Sequence, residues 1–181
     1  KLLRRSDKLG IGSAHIDGIR YAKTNGYQYL LTLDADFSHK PSDLPYLLNK
    51  LINESLDVVV GSRFTRPESL EEWNVARKFL THLGHFLTQK LLGVPYDTSG
   101  ALRCYRLARI PNSLLDSIKS RNYEFFFESL ALVHYSGGRI GEVPVDLAAR
   151  VYGHSKMQLR HMFSGLIRLF VLSLKLAGVR H

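Results

Sequence analysis

The run Leu31-Thr32-Leu33-Asp34-Ala35-Asp36 ends an apolar stretch on two carboxylates spaced by two residues. Hard anionic oxygens in a loop at a strand end suit Mg2+ or Mn2+, which keep open positions for the phosphate oxygens of a substrate. Asp-x-Asp also arises by chance in loops, and both readings stay open on the pair alone. A calcium-binding EF-hand loop is excluded: the glycine of its turn is missing, and Pro45 stands where the bidentate Glu belongs. Cations sit at the ends of the expected elements. Arg63 follows an apolar strand, Arg77 and Lys78 open a helix, and Arg103 and Arg106 follow Asp97-Thr98-Ser99-Gly100. Arg150, Tyr152, Ser155 and Lys156 lie in a loop beyond the last strand. Any one of these is ordinary surface charge. Together they suit two phosphorylated substrates, because guanidinium groups hold phosphate oxygens bidentately.

Other candidate sites are weaker. The turn around Gly10 and Gly12 has His15 where a dinucleotide fingerprint needs glycine and has no Gly-Lys-Ser/Thr ending, so close helix–strand packing is expected there. His82 and His85 stand three apart on a helix without a third zinc ligand, and a surface or packing role is expected of them. The single Cys104 lies in an apolar stretch, as a buried small hydrophobe would, and one cysteine allows no internal disulfide, which suits a reducing compartment.

These residues must be positioned by alternating strands and helices. Leu2-Leu3 reads as the end of a strand. Helical spacing predicts helices over 13–24, 43–53, 73–92, 112–118 and 124–135, and apolar runs predict strands over 28–33, 58–60, 101–105 and 139–145. The pattern implies an α/β fold, a mostly parallel sheet with helices on both faces, in which ligands gather at the carboxyl ends of strands. With 181 residues, 45% of them hydrophobic, the chain can build one substantial core. A boundary is expected at 157/158. From 158 to 177 an amphipathic helix should present Met162, Phe163, Leu166, Ile167, Phe170, Val171 and Leu174, with Arg160, Arg168 and Lys175 drawn to anionic lipid headgroups. The net charge of +9 calls for an anionic partner. Nucleic acid would explain the charge but not the strand-end carboxylates, which repel a phosphate backbone unless metal-bound.

Six runs, KLGIGSAHIDGI, LDADFSHKP, DVVVGSRF, the helix start Arg77 to Thr81, YDTSGALRCYR and IGEVPVDLAARVYGHSKM, cover nearly the whole chain in one order. In this the sequence resembles the family 2 glycosyltransferases of GT-A fold, in particular the polyprenyl- or dolichyl-phosphate mannose or glucose synthases. The resemblance implies that Asp34 and Asp36 are the metal motif, with Ser38 placed to add a ligand. It implies that Arg63, Arg77, Thr81, Arg103, Arg150, Ser155 and Lys156 serve catalysis and the donor and acceptor phosphates, and that Glu128 is an acidic residue facing the site. Phe126 and Leu102 depart from the glutamine and phenylalanine frequent in the family. The family's first strand-helix-strand unit, which holds the nucleotide base, is not in this sequence, so the chain is expected to begin inside a domain and to be inactive alone.

The expected reaction is inverting transfer of a hexose from a nucleotide diphosphate sugar (GDP-mannose or UDP-glucose type) to a polyprenyl phosphate, by an enzyme held peripherally on the cytoplasmic face of a membrane. A family 2 enzyme acting on a saccharide hydroxyl is the alternative, and a basic nucleic-acid-binding or membrane scaffold module is the alternative of another class. Nucleic acid is not expected as a partner.

Overall fold

The structure is a computed structural model that describes residues 2–70, 73, 75–146 and 159–178. Among these residues four strands form one sheet: β1 (Tyr29–Thr32), β2 (Val58–Ser62), β3 (Arg103–Arg106) and β4 (Ile140–Pro144). Among the described residues six α-helices surround it: α1 (Ile11–Thr24), α2 (Leu44–Asn53), α3 (Val75–Leu92), α4 (Asn112–Ser117), α5 (Phe125–Tyr135) and α6 (Leu159–Ala177). No strand includes Leu2 and Leu3; both are exposed, and Arg5 instead ties this segment to Asp17 of α1 at 2.9 Å.

The strand order is β1-β3-β2-β4. β2 and β4 pair in parallel, while β3 pairs antiparallel with both β1 and β2. Three strands therefore share one direction, as expected, and β3 alone is reversed. The reversal matters for the site. The exits of β1, β2 and β4 and the entry to β3 all lie along one edge.

Period-two alternation divides the core between the two faces. Val58, Val60 and Tyr105 face α1, α3, α4, α5 and α6. Val59, Leu102 and Cys104 face Leu47 and Leu51 of α2 on the other side, where Cys104 is the buried free thiol expected. Helix ends are set by left-handed residues. After α1, Gly26 has φ +74°, and the Gly26 and Tyr27 amides return to the Lys23 and Ala22 carbonyls. Gly12 also packs closely, but against the Asn122 carbonyl and Phe125 rather than a strand, leaving no space for a Cβ.

α6 has two apolar faces. Leu169, Leu172 and Leu176 are buried in the main core. Phe163, Leu166, Ile167, Phe170, Val171 and Leu174 point outward. Met162 and Arg160 carry no description of their side chains. Arg168, expected to meet lipid headgroups, instead turns inward and donates to Glu128. The Glu128 carboxylate, 1% exposed, also accepts the Lys119 and Ser120 amides at 3.0 and 2.9 Å. A buried carboxylate needs such partners.

Burial pushes the Glu128 carboxyl up, but hydrogen bonds from Arg168, Ser120 and Lys119 and the Arg168 charge outweigh it and hold it below the usual range. A carboxyl depressed on folding adds stability above its unfolded pKa, about 4.3, and loses it as pH falls through the folded value. Arg168→Met should therefore lower unfolding free energy by about 3 kcal/mol at neutral pH. In urea titrations the gap to wild type should narrow below about pH 4. A gap independent of pH would remove the ion pair as its cause.

Candidate active site

β1 ends at Thr32, whose hydroxyl donates to the Ala101 carbonyl at 2.7 Å and ties this strand end to the entry of β3. The chain then leaves the sheet through Asp34 and Asp36, both half-buried. Phe37 adopts φ +61°, a left-handed conformation uncommon outside glycine, so the backbone here bends sharply. The bend lets both the amide and the hydroxyl of Ser38 donate to Asp36 Oδ1, at 3.1 and 2.6 Å. Asp36 is thereby oriented before any ligand arrives. His39 lies buried beside this turn, and its Nδ1 has no hydrogen-bond partner. Burial pushes its pKa down; Asp34, Asp36 and Asp43 oppose that and Arg63 adds to it, and the net direction is down.

Arg63 leaves the end of β2 and meets Asp97, which lies in the entry to β3. Nε and Nη2 of Arg63 donate to Oδ2 and Oδ1 of Asp97, each at 2.9 Å, and the Arg63 amide donates to Oδ2 at 3.2 Å. Arg63 Nη2 also donates to the Ser99 hydroxyl. Burial pushes the Asp97 carboxyl up, but the Arg63 charge and hydrogen bonds from Arg63 and Ser99 prevail and bring it down to about 2. Glu142 of β4 accepts the Asp97 amide at 2.6 Å, and burial, the larger influence, raises its pKa.

Phe64, next to Arg63, stacks on His85 with ring centroids 3.8 Å apart and meets His82 edge-on at 5.5 Å. The two histidines thus pack α3 against the exit of β2, as expected of them. The same contact brings Arg77 and Thr81 of α3 to the Arg63 side of the molecule. The Arg77 guanidinium lies 3.5 Å from the Trp73 ring centroid, a cation–π contact that covers one flat face. Among the described residues, no group of three or more His, Cys, Asp or Glu is placed to hold a metal by itself.

Arg103 corrects the expectation. It is wholly buried and binds no phosphate in this position. Its donors reach the Gly100 and Thr98 carbonyls, both at 2.9 Å, the Phe126 carbonyl at 2.8 Å and the Ser129 hydroxyl at 3.0 Å. Glu128, expected to face the site, has its carboxylate engaged by Lys119, Ser120 and Arg168. Arg150, Ser155 and Lys156 lie outside the described residues. Asp97, Glu142, His39 and Trp73 were not singled out by the sequence reading. A signal for Asp97 exists: Asp97-Thr98-Ser99 repeats the Asp-x-Ser spacing of Asp36-Phe37-Ser38, and in both turns the serine amide and hydroxyl donate to Oδ1 of the aspartate.

Comparison with known proteins identifies the family. A family model described as glycosyl transferase family 2 matches residues 1–127. The undecaprenyl-phosphate mannosyltransferase of Micrococcus luteus is 34% identical over 157 residues, 86% of this chain and 64% of that protein. The polyprenol monophosphomannose synthase of Mycolicibacterium smegmatis is 29% identical over 157 residues, 86% of this chain and 59% of that protein. The chain thus spans less than two thirds of either relative's length. With the larger part of its sequence matched in this way, the chain belongs to glycosyl transferase family 2.

Proposed function

We propose that the protein transfers a hexose from a nucleotide diphosphate sugar, of GDP-mannose or UDP-glucose type, to a polyprenyl phosphate at a membrane surface. The observation that carries this reading is the convergence of Asp34, Asp36 and Arg63 at one sheet edge, with Arg77 and Thr81 nearby. The lipid-phosphate acceptors in the names of the two relatives support it.

Asp34 and Asp36 fit Mg2+ or Mn2+. Such ions take one or two protein carboxylates and complete their shell with water and substrate phosphate, so a third acidic or imidazole ligand is not required. Asp36 is already oriented by Ser38, whose hydroxyl oxygen keeps lone pairs for a ligand role. The ion, when bound, would stabilise negative charge on the departing diphosphate.

The rest falls to the chain's own residues. A phosphate monoester has a second pKa of about 6 and is mostly dianionic at neutral pH. One of its oxygens attacks the anomeric carbon from the side opposite the diphosphate. The carbon–oxygen bond to the diphosphate breaks, its electron pair leaves with the nucleotide, and the anomeric configuration inverts. No proton has to move, so no general base is required. What is required is that two anions be held together, and this is the task of Arg63 and Arg77, joined by Arg150, Ser155 and Lys156, which lie outside the described residues.

The acceptor also sets where the enzyme works. No helix among the described residues is long and apolar enough to cross a membrane. The outward face of α6 and the exposed Val75, Phe79, Leu80, Leu83 and Phe86 of the adjoining α3 form apolar surface that suits a bilayer interface.

In assays of the full-length protein, which restores the nucleotide-binding strand-helix-strand unit, with radiolabelled GDP- and UDP-sugars and polyprenyl phosphate, Asp34→Asn and Asp36→Asn should each lower kcat on the order of 100-fold without unfolding. Full activity in excess EDTA would reject the metal assignment. Because α6 also completes the core, membrane binding is best tested by substitution rather than removal. Ile167→Asn, Phe170→Asn and Leu174→Asn together should reduce flotation with anionic liposomes while circular dichroism stays unchanged. Equal flotation would take the bilayer away from this face.

A further inference from the structure

We propose that Asp97 is a positioning residue whose carboxylate fixes the side chain of Arg63 so that Nη1 alone is presented to a substrate phosphate. The proposal rests on the transferase reading above, because it assigns the uncommitted edge of Arg63 to that substrate.

The geometry carries it. Asp97 Oδ2 accepts from both the amide and Nε of Arg63, at 3.2 and 2.9 Å. One carboxylate thus grips the side chain at its root and near its tip, which sets the torsions between them. Nη2 is held by Asp97 Oδ1, at 2.9 Å, and by Ser99. Of the five N–H donors of a guanidinium, the two on Nη1 remain without a partner among the described residues. The Asp97 side chain is wholly buried, whereas 11% of the Arg63 side chain reaches solvent. An arginine meeting phosphate bidentately uses Nη2 together with Nε or with Nη1, and here Nη2 is already engaged by Asp97 and Ser99, so this one approaches by Nη1.

Asp97 is itself anchored. Glu142 accepts its amide at 2.6 Å and also takes a hydrogen bond from Ser62. Glu142 lies opposite Val60 in the register of β4 on β2, two residues before β2 ends. The anchor therefore spans the exits of β2 and β4 and the entry to β3. A pair that only joined loops could sit anywhere on the surface. This one sits where His39 feels the charge of both Arg63 and the Asp34–Asp36 pair.

A lysine at position 63 would keep the charge, but its single ammonium on a flexible stem could not grip Asp97 through two separate nitrogens in one plane and leave a third nitrogen aimed at phosphate. This separates charge from positioning. In the full-length protein, Asp97→Asn should lower kcat on the order of 100-fold, the effect of a misplaced catalytic group, with KM for donor and acceptor changed only a few-fold. Asp97→Asn should add little further loss in an Arg63→Lys background, because the positioned fork is already gone. A second readout does not depend on catalysis. Arg63 should react slowly with phenylglyoxal in wild type and faster in folded Asp97→Asn, as traced by peptide mass spectrometry. If Asp97→Asn does not fold, Ser99→Ala should show the same two changes more mildly, with a fall in kcat on the order of fivefold, the equivalent of one hydrogen bond. Unchanged reactivity of Arg63 in a folded variant, or additive losses in the double variant, would overturn the proposal. If wild type transferred no sugar to polyprenyl phosphate, the functional reading would fall, while the phenylglyoxal comparison would still decide whether Asp97 fixes Arg63.

Discussion

A guanidinium withdrawn from water must find acceptors for its N–H groups, and Arg103 meets this requirement in the middle of the molecule. It stands at the entry of β3 with its Cζ 5.3 Å from the Phe126 ring centroid. Its acceptors come from two places: the Thr98 and Gly100 carbonyls of the preceding turn, and the Phe126 carbonyl and Ser129 hydroxyl of α5. One side chain thereby clamps the 97–100 turn onto the helix that covers the sheet. His15 of α1, stacked on Phe125, lies within reach of the same charge; burial first and Arg103 second lower its pKa to about 4, so it packs as a neutral ring. The turn that Arg103 holds is the one that carries Asp97. The order of dependence therefore runs from a buried cation outside the site, through a fixed turn, to the carboxylate that grips Arg63.

The reversed β3 makes this possible. Had the strand between β1 and β2 run parallel to them, its entry would lie at the far edge of the sheet, and the 97–102 segment could not meet the exits of β1 and β2. Antiparallel pairing puts Thr32 and Val60 on either side of Arg103, so all three segments enter one space. That space gathers charge of both signs. Asp34 and Asp36 lie two residues apart beyond the end of β1, and Ser38 holds the Asp36 carboxylate. Arg63 stays charged there because its pKa is raised: burial opposes the charged form, and the Asp97 charge and hydrogen bond more than compensate.

Most of the architecture was legible in the sequence because it follows from periodicity. The helical spacing of Ile16, Ile19 and Ala22, and the apolar run Val58-Val59-Val60, locate buried faces whatever lies around them. The strand-end carboxylates were legible for the same reason, since a strand's length fixes where its exit falls. Side-chain direction at an element's end was not. Arg63 and Arg103 present the same sequence signal, a cation next to a short apolar run, yet Arg63 reaches the site with one edge and Arg103 points into the core. The difference comes from β3 being reversed, a pairing between segments some seventy residues apart that no local pattern contains. Glu128 was misplaced by the same blindness: its partners Lys119, Ser120 and Arg168 come from a loop and from a helix 40 residues onward.

The last helix shows how a single amphipathic pattern can conceal two functions. Leu169, Leu172 and Leu176 recur at helical spacing just as Phe163, Ile167, Phe170 and Leu174 do, so apolar side chains wrap most of α6. What divides the two faces is polar chemistry. Ser164 donates to Glu124 and Arg168 to Glu128, four residues apart on α6 and four apart at the start of α5, and these contacts fix the rotation of α6 against the domain. With the rotation fixed, the leucine stripe seats in the core and the aromatic stripe is left outside next to the exposed side chains of α3. A soluble monomer rarely keeps so broad an apolar surface in water without a use for it. The ion pair that looks like an interruption in an apolar helix is therefore what decides which side of that helix remains for an apolar partner.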